Sequence, residues 1–308
     1  MVTCLFTNHD CLKHKTPPSH PENAERIKII LKSIEDNSFK KLIIKNCKTG
    51  KMKDITRVHS KEHIKSLLNK NFNNYFKIDE DTFFSQNSKK AILGCVGAVK
   101  KAVDHVLKEK INNAFCAIRP PGHHASKNSS MGFCIINNLA IGVCYALDKY
   151  KLNRIAIIDF DVHHGNGTQN IFWNEKKVLF ISSHQVPLFP GSGKKEETGK
   201  YGNIFNFELK PGTDGKSFIK ILSKKIIPIV EKFNPELIFL SSGFDAHEKD
   251  QLSNMNFKTN DYGEITELIL KLANKVCNGK LISCLEGGYQ IEALSECIKL
   301  HLNKLMEA

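Results

Sequence analysis

The 308-residue chain is 41% hydrophobic and 25% charged, a composition that buries roughly three-quarters of the unfolded surface and excludes disorder, collagen and mini-scaffolds. Lys plus Arg outnumber Asp plus Glu by 45 to 32, a net charge of +13, but only Arg26, Arg57, Arg119 and Arg154 are arginines and the lysines form no long run, so nucleic acid is disfavoured as the primary partner. The ten cysteines form no C-x-x-C pair, the N-terminus has no signal-like pattern and no apolar run nears the roughly 18 residues of a membrane span, which predicts a reduced, cytoplasmic protein with no membrane partner.

The first predicted strand lies near residues 2–6. Pro21 then opens a helical pattern with Ile27, Ile30, Leu31 and Ile34 on one face, proline being suited to a first helical turn. Further strands are predicted near 114–118, 154–159, 177–183 and 236–241, several of them apolar on both faces as buried parallel strands are. A helix after Asp261 places Ile265, Leu268, Ile269 and Leu272 at i, i+3, i+4 and i+7. A strand near 280–285 follows, then a helix from about Ile291 with Leu294, Ile298, Leu302 and Leu305 inward. Strands alternating with helices are the signature of parallel βαβ units. With no repeat, linker or low-complexity stretch, a single domain over 1–308 is predicted.

Polar residues concentrate where strands end. Arg119-Pro120-Pro121-Gly122-His123-His124-Ala125 follows one strand and Asp159-Phe160-Asp161-Val162-His163-His164-Gly165-Asn166-Gly167 the next. Ser241-Ser242-Gly243-Phe244-Asp245-Ala246-His247 follows another, and Glu286-Gly287-Gly288-Tyr289 the last. Ligands of open α/β sheets bind outside the carboxyl ends of the strands, so these stretches predict one site. Asp161 and His163, two apart in an extended segment, point the same way and can hold one ion, with Asp245 from another strand as the third ligand. Capping roles would explain His163 or Asp245 singly; three converging elements favour a metal. Two carboxylates and an imidazole, with no thiolate, suit an open catalytic zinc site. Such an ion lowers the pKa of its water and polarises a carbonyl. One of His123 and His124 can carry the proton, and Tyr289 can donate to the developing oxyanion. Amide hydrolysis is the chemistry that fits.

These segments carry a family resemblance. RPPGHHA from Arg119, GFCIINN from Gly132, DFDVHHGNGTQ from Asp159, SSH from Ser182, FPGSG from Phe189, GFDAH from Gly243 and LEGGY from Leu285 occur in that order. With HPENAERI from His20 and DEDT from Asp79, they make the chain resemble a histone deacetylase of the arginase-deacetylase superfamily, nearest the class II and bacterial deacetylase-like amidohydrolases. The resemblance covers nearly the whole chain and implies an α/β fold, a three-layer αβα sandwich around a central, mainly parallel sheet. It implies zinc, with iron as the alternative, on Asp161, His163 and Asp245, and Tyr289 as the transition-state donor. His124 resembles the general base and acid, and His123 its electrostatic partner backed by Asp159. Asn166 stands where class I members carry Asp, and an amide there adds no charge, so the pKa of His124 is expected to be less elevated. A structural potassium ion is implied near Asp159, Asp161 and Ser182 with carbonyls of His163 and Ser183. Family members often hold a second monovalent ion through carbonyls near Phe172 and Val178.

Phe133 and Phe189 match the aromatics of the family's acyl-lysine tunnel, beside Gly132; two flat rings can sandwich the apolar stem of a neutral acetyl-lysine. Asp81 falls at the rim position that holds the substrate backbone. Relatives that hydrolyse acetylpolyamines place a glutamate at the rim, where this chain offers Leu252, so a polyamine preference is disfavoured. The stretch from Asp245 to Asp250 superficially resembles the arginase manganese motif, but that family's other metal segments are missing. The resemblance thus implies a zinc-dependent deacetylase acting on an acylated lysine side chain of a protein or on a small acetylamide. The alternatives are a non-catalytic acyl-lysine or partner-binding module and a polyamine-type amidohydrolase. Acyl-chain length, native metal and assembly into a homo-oligomer are left open.

Overall fold

A computed structural model describes residues 2–70, 72–108 and 111–307. Its strands are β1 (Thr3–Thr7), β2 (Ile43–Asn46), β3 (Tyr75–Lys77), β4 (Phe83–Ser85), β5 (Asn113–Cys116), β6 (Ile155–Asp159), β7 (Val178–Gln185), β8 (Ile204–Leu209), β9 (Leu237–Ser242) and β10 (Leu281–Leu285). The helices are α1 (Glu25–Ser33), α2 (Met52–Ile55), α3 (Lys61–Leu68), α4 (Ser88–Lys108), α5 (Asn138–Tyr150), α6 (Asn166–Phe172), α7 (Gly215–Ile221), α8 (Ile227–Phe233), α9 (Thr259–Cys277) and α10 (Ile291–Glu307).

Strand side chains alternate between faces, and here both faces are apolar. In β9, Leu237 and Phe239 join α4 and α5 in one core, while Ile238 and Leu240 join α1, α9 and α10 in the other. In β6, Ile155 and Ile157 divide from Ala156 and Ile158 in the same way. The result is the expected three-layer sandwich. Burial of each such side chain stabilises the fold by roughly 1.5–3 kcal/mol, and truncating the fully buried Phe239 to alanine is expected to cost about 3–5 kcal/mol. The strand order is β2-β1-β5-β10-β9-β6-β7-β8, every neighbouring pair parallel; β3 and β4 form a separate antiparallel hairpin.

All six predicted strands are present. The edge strands β2 and β8, the small hairpin, and the helices α4 and α5 add to them. The first helix starts at Glu25 rather than at Pro21, because Asn23 organises a turn instead: its amide donates to the His20 carbonyl at 2.9 Å and its side-chain oxygen accepts from Glu25 N–H at 3.0 Å. Helix α9 starts at Thr259, and Asp261, two residues in, accepts the Lys258 N–H at 2.7 Å and so caps the first turn. All ten cysteines are free thiols. Among the described residues no helix is long and apolar enough to cross a membrane.

Candidate active site

The strands β5, β10, β9 and β6 are consecutive neighbours in the middle of the sheet, so the four polar stretches that follow them emerge side by side. Asp161, His163 and Asp245 converge, with one ligand atom from each lying within 4.8 Å of the others. His163 Nδ1 is 3.2 Å from Asp161 Oδ1 and 3.1 Å from Asp245 Oδ2. Backbone amides fix the carboxylates: Gly287 N–H donates to Asp161 Oδ2 at 2.8 Å and Val162 N–H to Asp245 Oδ1 at 3.0 Å. Burial, and then the charge of Asp161, raise Asp245 to about 7. Burial also pushes Asp161 upward, but His123 and His163 outweigh it and hold that carboxyl far below the usual range. His163 rises to about 10, its bonds to both carboxylates overcoming burial. Two fully buried carboxylates facing one imidazole form a donor set that fits a divalent cation, which supplies the charge that desolvated carboxylates need.

The tandem histidines have different supports. His123 Nδ1 lies 3.1 Å from Asp159 Oδ2, and His124 Nδ1 lies 2.8 Å from Asn166 Oδ1. Burial opposes charge on His123, yet Asp161 and Asp159 together lift it to about 10. His124 is pushed well below 6.5, first by burial and then by His123 and His163, while its bond to Asn166 acts the other way. The two rings, with centroids 4.0 Å apart, are thus pushed in opposite directions, His123 toward its charged form and His124 toward its neutral one. Two adjacent imidazoles with separated pKa values can divide electrostatic and proton-transfer roles.

A cavity of about 220 Å³ is lined by Asp81, His124, Gly132, Phe133, His163, Leu188, Phe189, Leu252 and Tyr289. It gathers every residue expected at the tunnel, together with Leu188, which the sequence motifs do not single out. A larger surface hollow of about 640 Å³ beside Trp173 contains no member of the carboxylate–histidine triad. Phe133 meets the Tyr289 ring edge-on at 5.4 Å, and Phe189 meets His124 edge-on at 5.1 Å. Gly132 has φ +55°, and a Cβ there would lie 2.5 Å from the His124 ring, so only glycine fits. Burial raises the Tyr289 phenol well above 10, which keeps it a donor. At the rim, Phe133 N–H donates to Thr82 Oγ1 at 3.0 Å and the Thr82 hydroxyl donates to Asp81 Oδ1 at 2.9 Å. The rim carboxylate is thereby tied to the tunnel wall, and His20 Nε2 donates to the Asp81 carbonyl at 3.0 Å.

Behind the cavity lies an ionic framework that the motif reading passes over. Arg119 makes two 2.7 Å bonds to Glu22 and donates to the carbonyls of Cys11 and His14 at 2.9 and 2.8 Å. Burial would raise Glu22, but Arg119 holds it at about 2. Arg26 donates to the Gly288 carbonyl at 2.7 Å and to that of Glu286, and its guanidinium carbon sits 4.8 Å from the centre of the Tyr289 ring. Both arginines are fully buried. Their scarcity in a lysine-rich chain was the available signal.

Asp159 and Ser182 are register partners on β6 and β7, with Asp161, His163 and Ser183 close by in sequence. His184 Nε2 donates to the Gly193 carbonyl at 3.0 Å, which leaves Nδ1 to accept from the Ser182 hydroxyl at 3.0 Å. The lone pairs of Ser182 Oγ therefore stay free to face a cation. At the expected second monovalent site, Asn203 Nδ2 donates to the carbonyls of Phe172 and Val178, each at 3.0 Å, and to that of Glu175 at 3.4 Å, while its Oδ1 is buried with no hydrogen-bond donor. An amide occupies the centre that those carbonyls would offer a cation.

A family profile for the histone deacetylase domain matches residues 20–305. The chain is 38% identical to Type-2 histone deacetylase 2 of Dictyostelium discoideum, an alignment that covers 96% of this chain but only 20% of that longer protein. It is 37% identical to a probable deacetylase of Archaeoglobus fulgidus, over 95% of this chain and 82% of the relative. With Histone deacetylase 14, chloroplastic, of Arabidopsis thaliana it shares 35% identity over 91% of this chain and 71% of the relative. The crystal structure of the HDA15 HD domain superposes with a TM-score of 0.93 at 28% identity, covering 99% of this chain and 88% of that one. The chain belongs to the histone deacetylase family, hydrolases of acetyl amides.

Proposed function

We propose that the chain is one catalytic domain that hydrolyses the amide of acetyl-lysine, or of a related short-acyl amide, with zinc held by Asp161, His163 and Asp245. The observation that carries this reading is the convergence of His163, neutral His124 and the Tyr289 phenol on one narrow, aromatic-walled cavity. Zinc, when bound, supplies Lewis acidity to the attacking water and to the scissile carbonyl. Neutral His124 accepts the water proton and returns it to the leaving amine, a contribution of about 10²–10⁴-fold. Cationic His123, backed by Asp159, steadies the charge that develops beside it. Tyr289 donates to the carbonyl oxygen as it becomes negative. Phe133, Phe189, Gly132, Leu188 and Leu252 enclose the apolar stem, and Asp81 offers its carboxylate to the substrate backbone at the rim.

One potassium ion on Asp159, Asp161, His163, Ser182 and Ser183 would brace the ligand loop from behind. Ten free thiols support a reducing compartment such as the cytoplasm. The test is a panel of acyl-lysine peptides and small acetylamides, assayed with zinc-loaded and iron-loaded protein whose metal content is measured. Turnover of an acyl-lysine probe that hydroxamate blocks is the expected result. Metal-loaded protein that binds acyl-lysine without cleaving any probe would refute catalysis and favour a binding module.

A further inference from the structure

Glu286, the first residue beyond β10, is 1% exposed and has no part in the chemistry described above. Its carboxylate Oε2 accepts two backbone donors of the histidine loop, Gly122 N–H at 2.6 Å and His123 N–H at 3.2 Å. Its own carbonyl accepts the Arg26 guanidinium, which also bonds the Gly288 carbonyl and lies over Tyr289. Its N–H donates to the Ser242 carbonyl at 2.9 Å, at the end of the strand that leads into Asp245. One residue therefore touches the tandem-histidine loop, the tyrosine loop and the exit of β9.

A carboxylate is a costly choice for that position. Burial raises Glu286 to about 7 against the help of His123 and the Gly122 N–H, and Oε1 is buried with no hydrogen-bond donor. Selection for stability alone favours an apolar or neutral side chain at such a site. What the side chain supplies at this position is one acceptor oxygen that two consecutive backbone amides share. We infer that Glu286 is a positioning residue, whose side-chain oxygen fixes the Gly122–His123 backbone and so aims both imidazoles at the cavity in register with Tyr289. Removing the acceptor leaves two buried N–H groups unpaired, and the loop moves to satisfy them. That movement reaches His124, the next residue, whose ring is aligned by a single 2.8 Å bond to Asn166.

This inference rests on the deacetylase reading, and zinc-loaded Glu286→Gln, Glu286→Ala and Glu286→Leu test it against wild type. The amide keeps an acceptor oxygen, Ala removes it, and Leu removes it while filling the volume, so a folding failure of one truncation leaves the other contrast. Steady-state kcat and KM, zinc content and hydroxamate affinity are read for each. A loop misplaced by about 1 Å is expected to lower kcat of the Ala and Leu variants about 100-fold, with KM, zinc content and hydroxamate affinity within about threefold of wild type and Gln recovering to within about tenfold. Ala and Leu variants as fast as wild type overturn the inference. So does a Gln variant as slow as they are, which would assign the effect to charge, and so does a loss that follows zinc content. Wild type that binds zinc and hydrolyses nothing refutes the deacetylase reading instead.

Discussion

Gly287 offers a test of the proposed metal centre that leaves Asp161, His163 and Asp245 intact. Its φ is outside the left-handed region, so alanine is conformationally allowed and the effect of Gly287→Ala is purely steric. The new Cβ would lie 2.0 Å from Asp245 Oδ2 and 2.6 Å from Asp161 Oδ2, whereas real contacts of this kind stay beyond 3.0 Å. Something must retreat by about 1 Å. Asp245 is held through Oδ1 by Val162 N–H, and Asp161 is backed by Gly243, whose own Cβ would lie 2.1 Å from Asp161 Oδ2. The carboxylates are wedged between two glycines, so the Gly287 loop moves and stretches its 2.8 Å bond to Asp161. Losing a hydrogen bond to a charged group costs about 1.5–3 kcal/mol, which is about 10- to 100-fold in zinc affinity. With zinc saturating, displaced ligands and a displaced Tyr289 are expected to lower kcat about 100-fold or more. Competition against a fluorescent chelator gives the zinc affinity and a saturating-zinc assay gives kcat. Zinc affinity and kcat equal to wild type in the Gly287 variant would refute the placement of the metal between Asp161 and Asp245.

Three further outcomes are expected. Tyr289→Phe keeps the ring against Phe133 and Arg26 but removes the donor, so kcat should fall about 10²–10³-fold while zinc content is unchanged; full activity on acetyl-lysine would remove Tyr289 from the mechanism. His301, fully buried between the hydroxyls of Thr266 and Ser283, is held by burial at about 3. Its folded pKa lies below the unfolded 6.5, so its contribution is whole above about 6.5 and is lost as pH falls toward 3. Urea unfolding of wild type should therefore lose about 2 kcal/mol more than His301→Gln between pH 6.5 and 5, and equal slopes would contradict the buried neutral ring. Asn203 stands in for a second monovalent cation, so the wild-type melting temperature should respond to KCl in one saturable phase. Asn203→Ala should melt lower and recover part of the difference as KCl rises; two phases in wild type would contradict this substitution of amide for ion.

What the sequence made legible follows from how local each signal is. Strands β5, β6, β9 and β10 are apolar on both faces and end abruptly in Gly, Asp, His or Pro, so a short window suffices to place them. β2 escapes because Ile43 and Ile44 lie on an edge, 40% and 50% exposed, where no second layer enforces a pattern. The first helix starts late because Asn23 competes locally for backbone groups, a choice that helical periodicity does not register. Asp161 and His163 are readable as a pair from their spacing. Asp245 is readable as their third partner because it too follows the end of an apolar strand, whereas Leu188 and Glu286 acquire their places only when the strand order brings residues far apart in sequence to one edge of the sheet.

The same distinction reverses the weight of the charges. The lysine excess is conspicuous in the composition, yet among the described residues no lysine lines the cavity that holds Tyr289 and His163. The arginines are few, and two of them, Arg26 and Arg119, lie fully buried within the HPENAERI and RPPGHHA stretches. A lysine presents one compact charge and pays heavily for desolvation, whereas a guanidinium presents a planar fork that can satisfy a carboxylate and several carbonyls together. Arg119 meets Glu22, Cys11 and His14 in this way, and Arg26 meets Glu286 and Gly288. In a chain that otherwise uses lysine for positive charge, these two arginines each hold backbone carbonyls from within, Arg26 those of the tyrosine loop and Arg119, at the head of the histidine loop, those of Cys11 and His14.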